Sequence, residues 1–278
     1  MEDGAFCGVF DGHGKNGHTV SKLVRNKLPS LLLNQKNALT KINKEREDGE
    51  TMVPKKTFHK WKEACISAFK AMDKEIKLLE SLDCSCSGTT AVVVIRQGED
   101  LVIANLGDSS AVLGTMTEDG VVRPAQLTTD LEPSLPTERI RKSNGQVFAA
   151  MEEPGIERVW LPHEDSPGLA MSQAFRDFLL KNHGLVAIPD LSYRHLTPND
   201  QFLVLASAGV WDVLRSKEVA YNVSSADSEE AEARAVVNAA IYAWKHMFPS
   251  SKIDDCTVLC LFLHKRQQPP PPPLHLMA

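Results

Sequence analysis

Short apolar runs, each broken by a turn of Asp and Gly, constrain this chain more than any other feature. Ala5 to Phe10 runs into Asp11-Gly-His-Gly14, and Thr89 to Arg96 runs into Gly98-Glu-Asp100. Leu101 to Leu106 meets Gly107-Asp-Ser109, and Ala111 to Met116 meets Thr117-Glu-Asp-Gly120. Gln201 to Ser207 and Ile253 to Leu263 are further apolar runs, the last rich in Val, Leu and Cys. Runs of this length, β-branched and closed by turn formers, predict buried strands. The spacing from 89 to 120 predicts an antiparallel meander.

Between these runs lie segments of helical period. Asn16 to Leu33 repeats Val20, Leu23, Val24 and Leu28, and Thr57 to about Leu82 carries Phe58, Trp61, Ala64, Cys65, Ala68, Phe69 and Met72 on one stripe. An aromatic stripe at this spacing is a core face. Ser216 to Val223, Ser228 to Phe248 and the shorter Thr137 to Asn144, ended by Gly145, also predict helices, with a short strand at Val147 to Met151. Lys41 to Lys56 is charged and reads as a solvated loop or a helix extension. Many strands with a few helical blocks predict an α+β domain, sheets packed together with helices outside.

Composition narrows the function. Of 278 residues 42% are hydrophobic, enough to bury a core, and 31 basic against 36 acidic residues leave a net charge of -5. That balance points away from nucleic acid and from a membrane surface. No apolar run approaches the ~20 residues of a membrane-spanning helix. The first residues lack the basic and apolar regions of a signal peptide, so the expected compartment is intracellular, cytoplasmic or nuclear. Cys84-Ser-Cys86 and Cys256 with Cys260 could be zinc half-sites, but no Cys-x-x-Cys pair occurs, and reduced buried thiols are the expectation. The expected domain covers 1–266, followed by a Pro-rich tail at 267–278 that cannot pack into it and reads as exposed.

Asp11, Asp108, Asp212 and Asp254 (followed by Asp255) sit at breaks far apart in sequence. Singly, each Asp reads as a turn cap. Jointly, carboxylates at strand ends can converge on a hard dication such as magnesium or manganese, which takes oxygen ligands. The glycines of Asp11-Gly-His-Gly14 allow a sharp turn that offers a carbonyl beside the carboxylate. His13 could give a proton to a leaving oxygen.

Several blocks, in order, carry a resemblance: Phe6-Cys-Gly-Val-Phe-Asp-Gly-His-Gly14, Ser87-Gly-Thr-Thr-Ala91, Ala104-Asn-Leu-Gly-Asp-Ser109 and Leu127-Thr-Thr-Asp130. Glu138-Arg139-Ile140, Gly168-Leu-Ala-Met-Ser172, Leu205-Ala-Ser207, Gly209-Val-Trp-Asp-Val213 and Ile253-Asp-Asp-Cys-Thr-Val258 follow. Together they resemble the metal-dependent protein phosphatases of type 2C, most of all the plant branch, over residues 5–264. The resemblance implies a four-layer α-β-β-α sandwich with two central antiparallel sheets. It also implies two metal ions at one end of the sandwich, whose bridging water attacks phosphoserine or phosphothreonine. By motif, Asp11 would bridge both ions, the Gly12 carbonyl would bind one, Asp254 the other, and His13 would assist the leaving group. Asp108 and Asp212 match positions around a further, weaker metal site.

The departures are chemical. Ala208 stands where the family has a metal-ligating Asp, and a methyl group cannot hold a hard cation. The family's acidic strand ahead of this motif, with its phosphate-gripping Arg, has no counterpart here: Glu2-Asp3 lie too close to Asp11. Gln173 stands for Arg, Arg176 for Gly, Leu131 for His and Ser110 for Arg, and Arg176 is expected to distort the cleft rim. The resulting expectation is weakened Mg2+ or Mn2+ sites, an uncovered sheet edge and a catalytically impaired homologue that still binds phosphoproteins or signalling partners. The alternatives are an active phosphatase with a modified metal site, using Asp212 or Asp255, and a longer natural chain that carries the acidic strand. No nucleic acid, no membrane and a monomeric state are expected.

Overall fold

The computed structural model describes residues 4–44, 54–79, 82–129, 131, 133–134, 136–151, 153–164, 166–226 and 228–264. Glu2-Asp3, Asp130 and the Pro-rich tail lie outside the described residues, as do the side chains of Lys55 and Lys56. The chain opens with β1 (Gly4–Val9), β2 (Gly12–His13), α1 (Gly17–Lys44) and α2 (Pro54–Lys77). The meander follows as β3 (Gly88–Thr89), β4 (Ala91–Gln97), β5 (Asp100–Leu106), β6 (Ser110–Met116) and β7 (Val122–Gln126). Next come α3 (Thr137–Lys142), β8 (Gln146–Ala149), β9 (Glu157–Trp160), β10 (Pro167–Leu169), β11 (Phe175–Arg176) and α4 (Phe178–Lys181). β12 (Asp190–His195), β13 (Asp200–Ala206), α5 (Ala208–Trp211), α6 (Ser216–Ser225), α7 (Glu229–Met247) and β14 (Val258–Phe262) close the described fold.

Two four-stranded antiparallel sheets form, in the orders β1-β4-β5-β12 and β14-β13-β6-β7, beside two small three-stranded ones, β10-β9-β8 and β11-β3-β2. Strand alternation puts each four-stranded sheet between two apolar layers. In β4, Val92 and Val94 meet Leu101, Ile103, Leu113, Leu203 and Leu205 in the core between the sheets. Ala91, Val93 and Ile95 face the other way, onto Val20, Val24, Leu28 and Leu32 of α1 and Trp61, Phe69 and Met72 of α2. On the second sheet Phe202, Val204 and Ala206 turn outward beneath Val219 and Val223 of α6 and Val236 and Ala240 of α7. Each fully buried side chain of this kind contributes ~1.5–3 kcal/mol by leaving water. The α-β-β-α layering expected from the resemblance is thereby present, and among the described residues β1 is one edge of its sheet.

The differences from expectation lie at boundaries and short strands. α1 runs on to Lys44, so the start of the charged 41–56 segment is a helix extension. α2 ends at Lys77 instead of near Leu82. The last apolar run forms a strand only from Val258, and its first residues, Ile253, Asp254 and Asp255, line the cleft instead. β12 was not foreseen, although Leu191 and Tyr193 alternate and pack on the α1–α2 core. The cysteines do not form a zinc site: Cys84 packs under α1 and α2, Cys256 and Cys260 under α6 and α7. Cys86 is exposed rather than buried.

Candidate active site

The Asp-bearing turns collect at one end of the sandwich, and hydrogen bonds among the sequence blocks hold them there. Asp11 is fixed by its backbone: its N–H donates to Thr90 Oγ1 at 3.1 Å, and its carbonyl accepts Thr89 Oγ1 at 2.8 Å and Thr90 N–H at 2.9 Å. Thr90 Oγ1 and Ser109 Oγ share a 2.7 Å bond, tying the first turn to the one that carries Asp108. Ser87 Oγ accepts the Asn16 N–H at 3.1 Å, so the Ser87-Gly-Thr-Thr block anchors both ends of the Asp11-Gly-His-Gly14 turn. These threonines and serines are adapters for the carboxylates.

His13 lies in β2, paired antiparallel with β3, which in turn pairs with β11. Its Nε2 is 2.7 Å from Asp177 Oδ2, and the Asp177 side chain is 2% exposed. Burial acts to lower the His13 pKa, but the hydrogen bond and charge of Asp177, with the charges of Asp108 and Asp11, outweigh it and raise it above the ordinary imidazole value. The imidazolium form is thereby stabilised relative to that of a free imidazole, the direction that suits a proton donor. Asp177 is not marked by the sequence, where its block stands out only for Gln173 and Arg176.

Arg176 sits on this rim in an unusual backbone conformation. Its φ is +74° and that of Asp177 +52°, two successive non-glycine residues in the left-handed region. The guanidinium is buried, stacked 3.6 Å from the Phe178 ring centroid, and Nε and Nη1 have no hydrogen-bond partner among the described residues. The Arg176 N–H donates to Asp73 Oδ1 at 2.8 Å, holding the strained turn against α2.

On the facing wall, Ser207 Oγ donates to the Asp255 carbonyl at 2.9 Å and accepts the Thr257 N–H at 3.0 Å. Ala208 follows at the start of α5. A Cβ on Gly209 would lie 2.6 Å from the Asp255 carbonyl oxygen and 3.3 Å from Asp254 Cβ, so only glycine lets α5 approach this closely. The side chain at 208 thus projects from a turn laid directly on the Asp254–Asp255 segment. A cavity of about 860 Å³ lies beside it, lined by Asp212, Asp254, Asp255, Trp244, Phe248 and Ile156 among others. A second, of about 380 Å³, carries Asp108, Trp211 and Arg158 and shares Gly155, Ile156 and Asp212 with the first.

The carboxylates influence one another. Burial, with the charges of Asp254 and Asp255, pushes the Asp11 carboxyl up to about 6 against the pull of His13. Burial, with the charges of Asp11 and Asp212, pushes Asp108 up to about 7. Asp108 Oδ1 is buried with no hydrogen-bond partner among the described residues. Five mutually repelling carboxylates and an orphaned carboxylate oxygen are the donor chemistry of a hard dication. Among the described residues no three His, Cys, Asp or Glu side chains stand together in metal-holding geometry. The donor type suits magnesium or manganese.

The sandwich with a carboxylate-lined end defines a phosphatase-type fold and cleft. The family profile "Protein phosphatase 2C" matches residues 2–243, and the chain belongs to this family of metal-dependent Ser/Thr phosphatases. It is 53% identical, over 96% of its length and 78% of the relative's, to "Probable protein phosphatase 2C 72" of Arabidopsis thaliana. It is 46% identical to "Probable protein phosphatase 2C 12" of Oryza sativa subsp. japonica, covering 95% of this chain and 75% of that one. Serine-threonine phosphatase 2C from Toxoplasma gondii shares the fold, with a TM-score of 0.79 and 23% identity over 94% of this chain and 85% of that one.

Proposed function

We propose that this chain is a type 2C phosphatase homologue with a weakened metal centre and impaired turnover, which retains its cleft for binding protein segments. The observation that carries the reading is Ala208. It opens the turn packed on Asp254 and Asp255, where a carboxylate could join theirs, and it offers a methyl group. Asp11, the Gly12 carbonyl and Asp254 remain as ligands, with Asp108 and Asp212 nearby. A metal held there would supply an activated water and neutralise phosphoryl charge. The chain's own part is better preserved: His13, held in orientation by Asp177, whose charge favours the imidazolium, is placed to protonate a leaving Ser or Thr oxygen.

A second reading, an active enzyme with a rearranged site, rests on Asp212 and Asp255 lining the same cavity as Asp254. Hydrolysis of an aryl phosphate in Mg2+ or Mn2+ by the purified chain and by Ala208→Asp separates the two. Impairment predicts little activity in the unaltered chain and a gain of ~10–100-fold in the variant, the usual scale for repairing a metal shell. Efficient turnover by the unaltered chain would establish the second reading instead.

The expected substrates and partners, phosphoproteins or signalling proteins, follow from family membership, as does use of magnesium or manganese. No helix among the described residues is long and apolar enough to cross a membrane. A cytoplasmic or nuclear site remains the proposal from the sequence.

A further inference from the structure

We propose that the cavity beside Asp254 docks an extended basic segment of a partner protein, which inserts one bulky apolar side chain against Ile156 and Phe248. This rests on the reading above only in so far as the cleft is retained for protein segments, and it concerns the metal-free cleft, where no cation cancels the carboxylate charge.

Shape is the first argument. At about 860 Å³ the cavity falls in the range that takes a small ligand or a short stretch of peptide. Its aromatic wall is fixed: Trp244 Nε1 donates to the Gly209 carbonyl at 2.6 Å, and the Trp244 and Phe248 rings lie 5.2 Å apart at 44°. Ile156 and Phe248 come from elements far apart in sequence, yet both line this space and remain 45% and 42% exposed. Apolar surface left in water inside a concave site is surface that a partner can cover.

Charge is the second. Asp212, Asp254, Asp255 and Glu153 line the cavity, and Lys252 is the one cation among the described residues that line it. Glu153 already pairs with Arg158. The carboxylates of Asp254 and Asp255 still outweigh Lys252 among the described lining residues, so Lys or Arg beside the inserted apolar residue is favoured. A phosphate is disfavoured there while no cation is bound. The occupant defined by these walls is a basic segment with a Phe- or Leu-sized anchor, and its binding does not require phosphorylation.

The test uses the purified full chain in chelator and three capped pentapeptides: Arg-Lys-Phe-Arg-Lys, Glu-Asp-Phe-Glu-Asp and Arg-Lys-Ala-Arg-Lys. Binding is read by calorimetry and tryptophan fluorescence. The basic Phe peptide should bind at least ~10-fold more tightly than the acidic one and ~5-fold more tightly than the Ala one. Phe248→Ser and Ile156→Ser should each weaken it ~5–10-fold without moving the thermal midpoint, since both side chains are half exposed. Asp255→Asn should reduce the preference for the basic peptide.

Equal binding of basic and acidic peptides, or full affinity in Phe248→Ser, overturns the proposal. So does self-association that Phe248→Ser abolishes while no peptide binds, which would give the cavity to a second copy of the chain. Aryl phosphate hydrolysis measured in parallel keeps the two readings apart. Robust turnover in manganese with peptide binding intact in chelator would remove the impairment reading and leave the docking site standing.

Discussion

The two walls of the cleft differ in opposite ways. On the His13 wall the chemistry is complete and the backbone is strained: His13 and Asp177 meet at 2.7 Å, but Arg176 and Asp177 both take left-handed φ and the Arg176 guanidinium is buried partly unbonded. On the Asp254 wall the backbone is relaxed, with Ser207 bonded to both Asp255 and Thr257, but Ala208 carries no ligand. A site can thus be weakened by conformational cost or by missing chemistry, and the two leave different signatures. Strain is felt in stability, whereas a missing ligand is felt in metal affinity and rate.

The largest effect expected from testing this contrast is Gly88→Ala. The new Cβ would overlap Asp177 Oδ2 and the Phe175 carbonyl oxygen and come within 2.7 Å of His13 Nε2, in a place bounded by paired strands. A loss of ~3 kcal/mol or more in chemical denaturation is expected. Gly209→Ala, which meets the Asp255 carbonyl in a segment held by Ser207 rather than by strand pairing, should cost about half as much. Equal losses would show the two walls to be equally rigid.

Arg176→Gly comes next and has the opposite sign. It relieves a left-handed backbone and removes a buried, under-bonded charge, for a gain of ~2–3 kcal/mol and a thermal midpoint higher by ~5–10 °C. Arg176→Met keeps the strained φ and should recover only part of this. A destabilised Arg176→Gly would mean that stacking on Phe178 outweighs the strain.

Asp108→Asn tests the carboxylate cluster. Its folded pKa, about 7, lies above the ordinary 3.8, so the metal-free folded protein holds a proton that the unfolded chain releases. Stability therefore falls as pH rises from about 4 through 7. The amide should stabilise the metal-free chain by ~2 kcal/mol at pH 8, an effect that fades toward pH 4. A pH-independent effect would point to packing instead of charge.

Asp177→Asn is smaller, about 1 kcal/mol. The raised His13 pKa contributes stability below the unfolded value, near 6.5, which is lost as pH rises through the folded value. The variant should lower the His13 titration seen by NMR and flatten this acid-side contribution. Smallest of all, Gly155→Ala should change stability by less than ~0.5 kcal/mol, since its Cβ would meet nothing within 4 Å.

Much of this was legible because it is local. The alternation of Val92, Val94, Leu101 and Ile103 against Ala91, Val93, Val102 and Ala104 states which face each strand turns inward, and the 3.6-residue stripes of α1 and α2 state what covers the outer face. The Asp-Gly breaks marked Asp11, Asp108, Asp212 and Asp254, and the family resemblance supplied their expected roles. Less legible was anything made by contact across the chain. Asp177 reaches His13 over 164 positions, and Thr90 joins Asp11 to Ser109 across three blocks that read in sequence as separate motifs. Residues 253–257 carry strand-like composition, yet the strand begins only at Val258 and Asp255 lies against Gly209 of α5.

By itself, then, the sequence determined the layers, the turns and the absence of a ligand at Ala208, because hydrophobic period, turn chemistry and the atoms of a side chain are properties of the residues alone. Tertiary structure decided which carboxylates share a field, which acid holds His13, that Arg176 is buried and strained, and that Ile156 and Phe248 face one cavity. Those properties depend on distance and desolvation, and both exist only once segments remote in the chain have packed together.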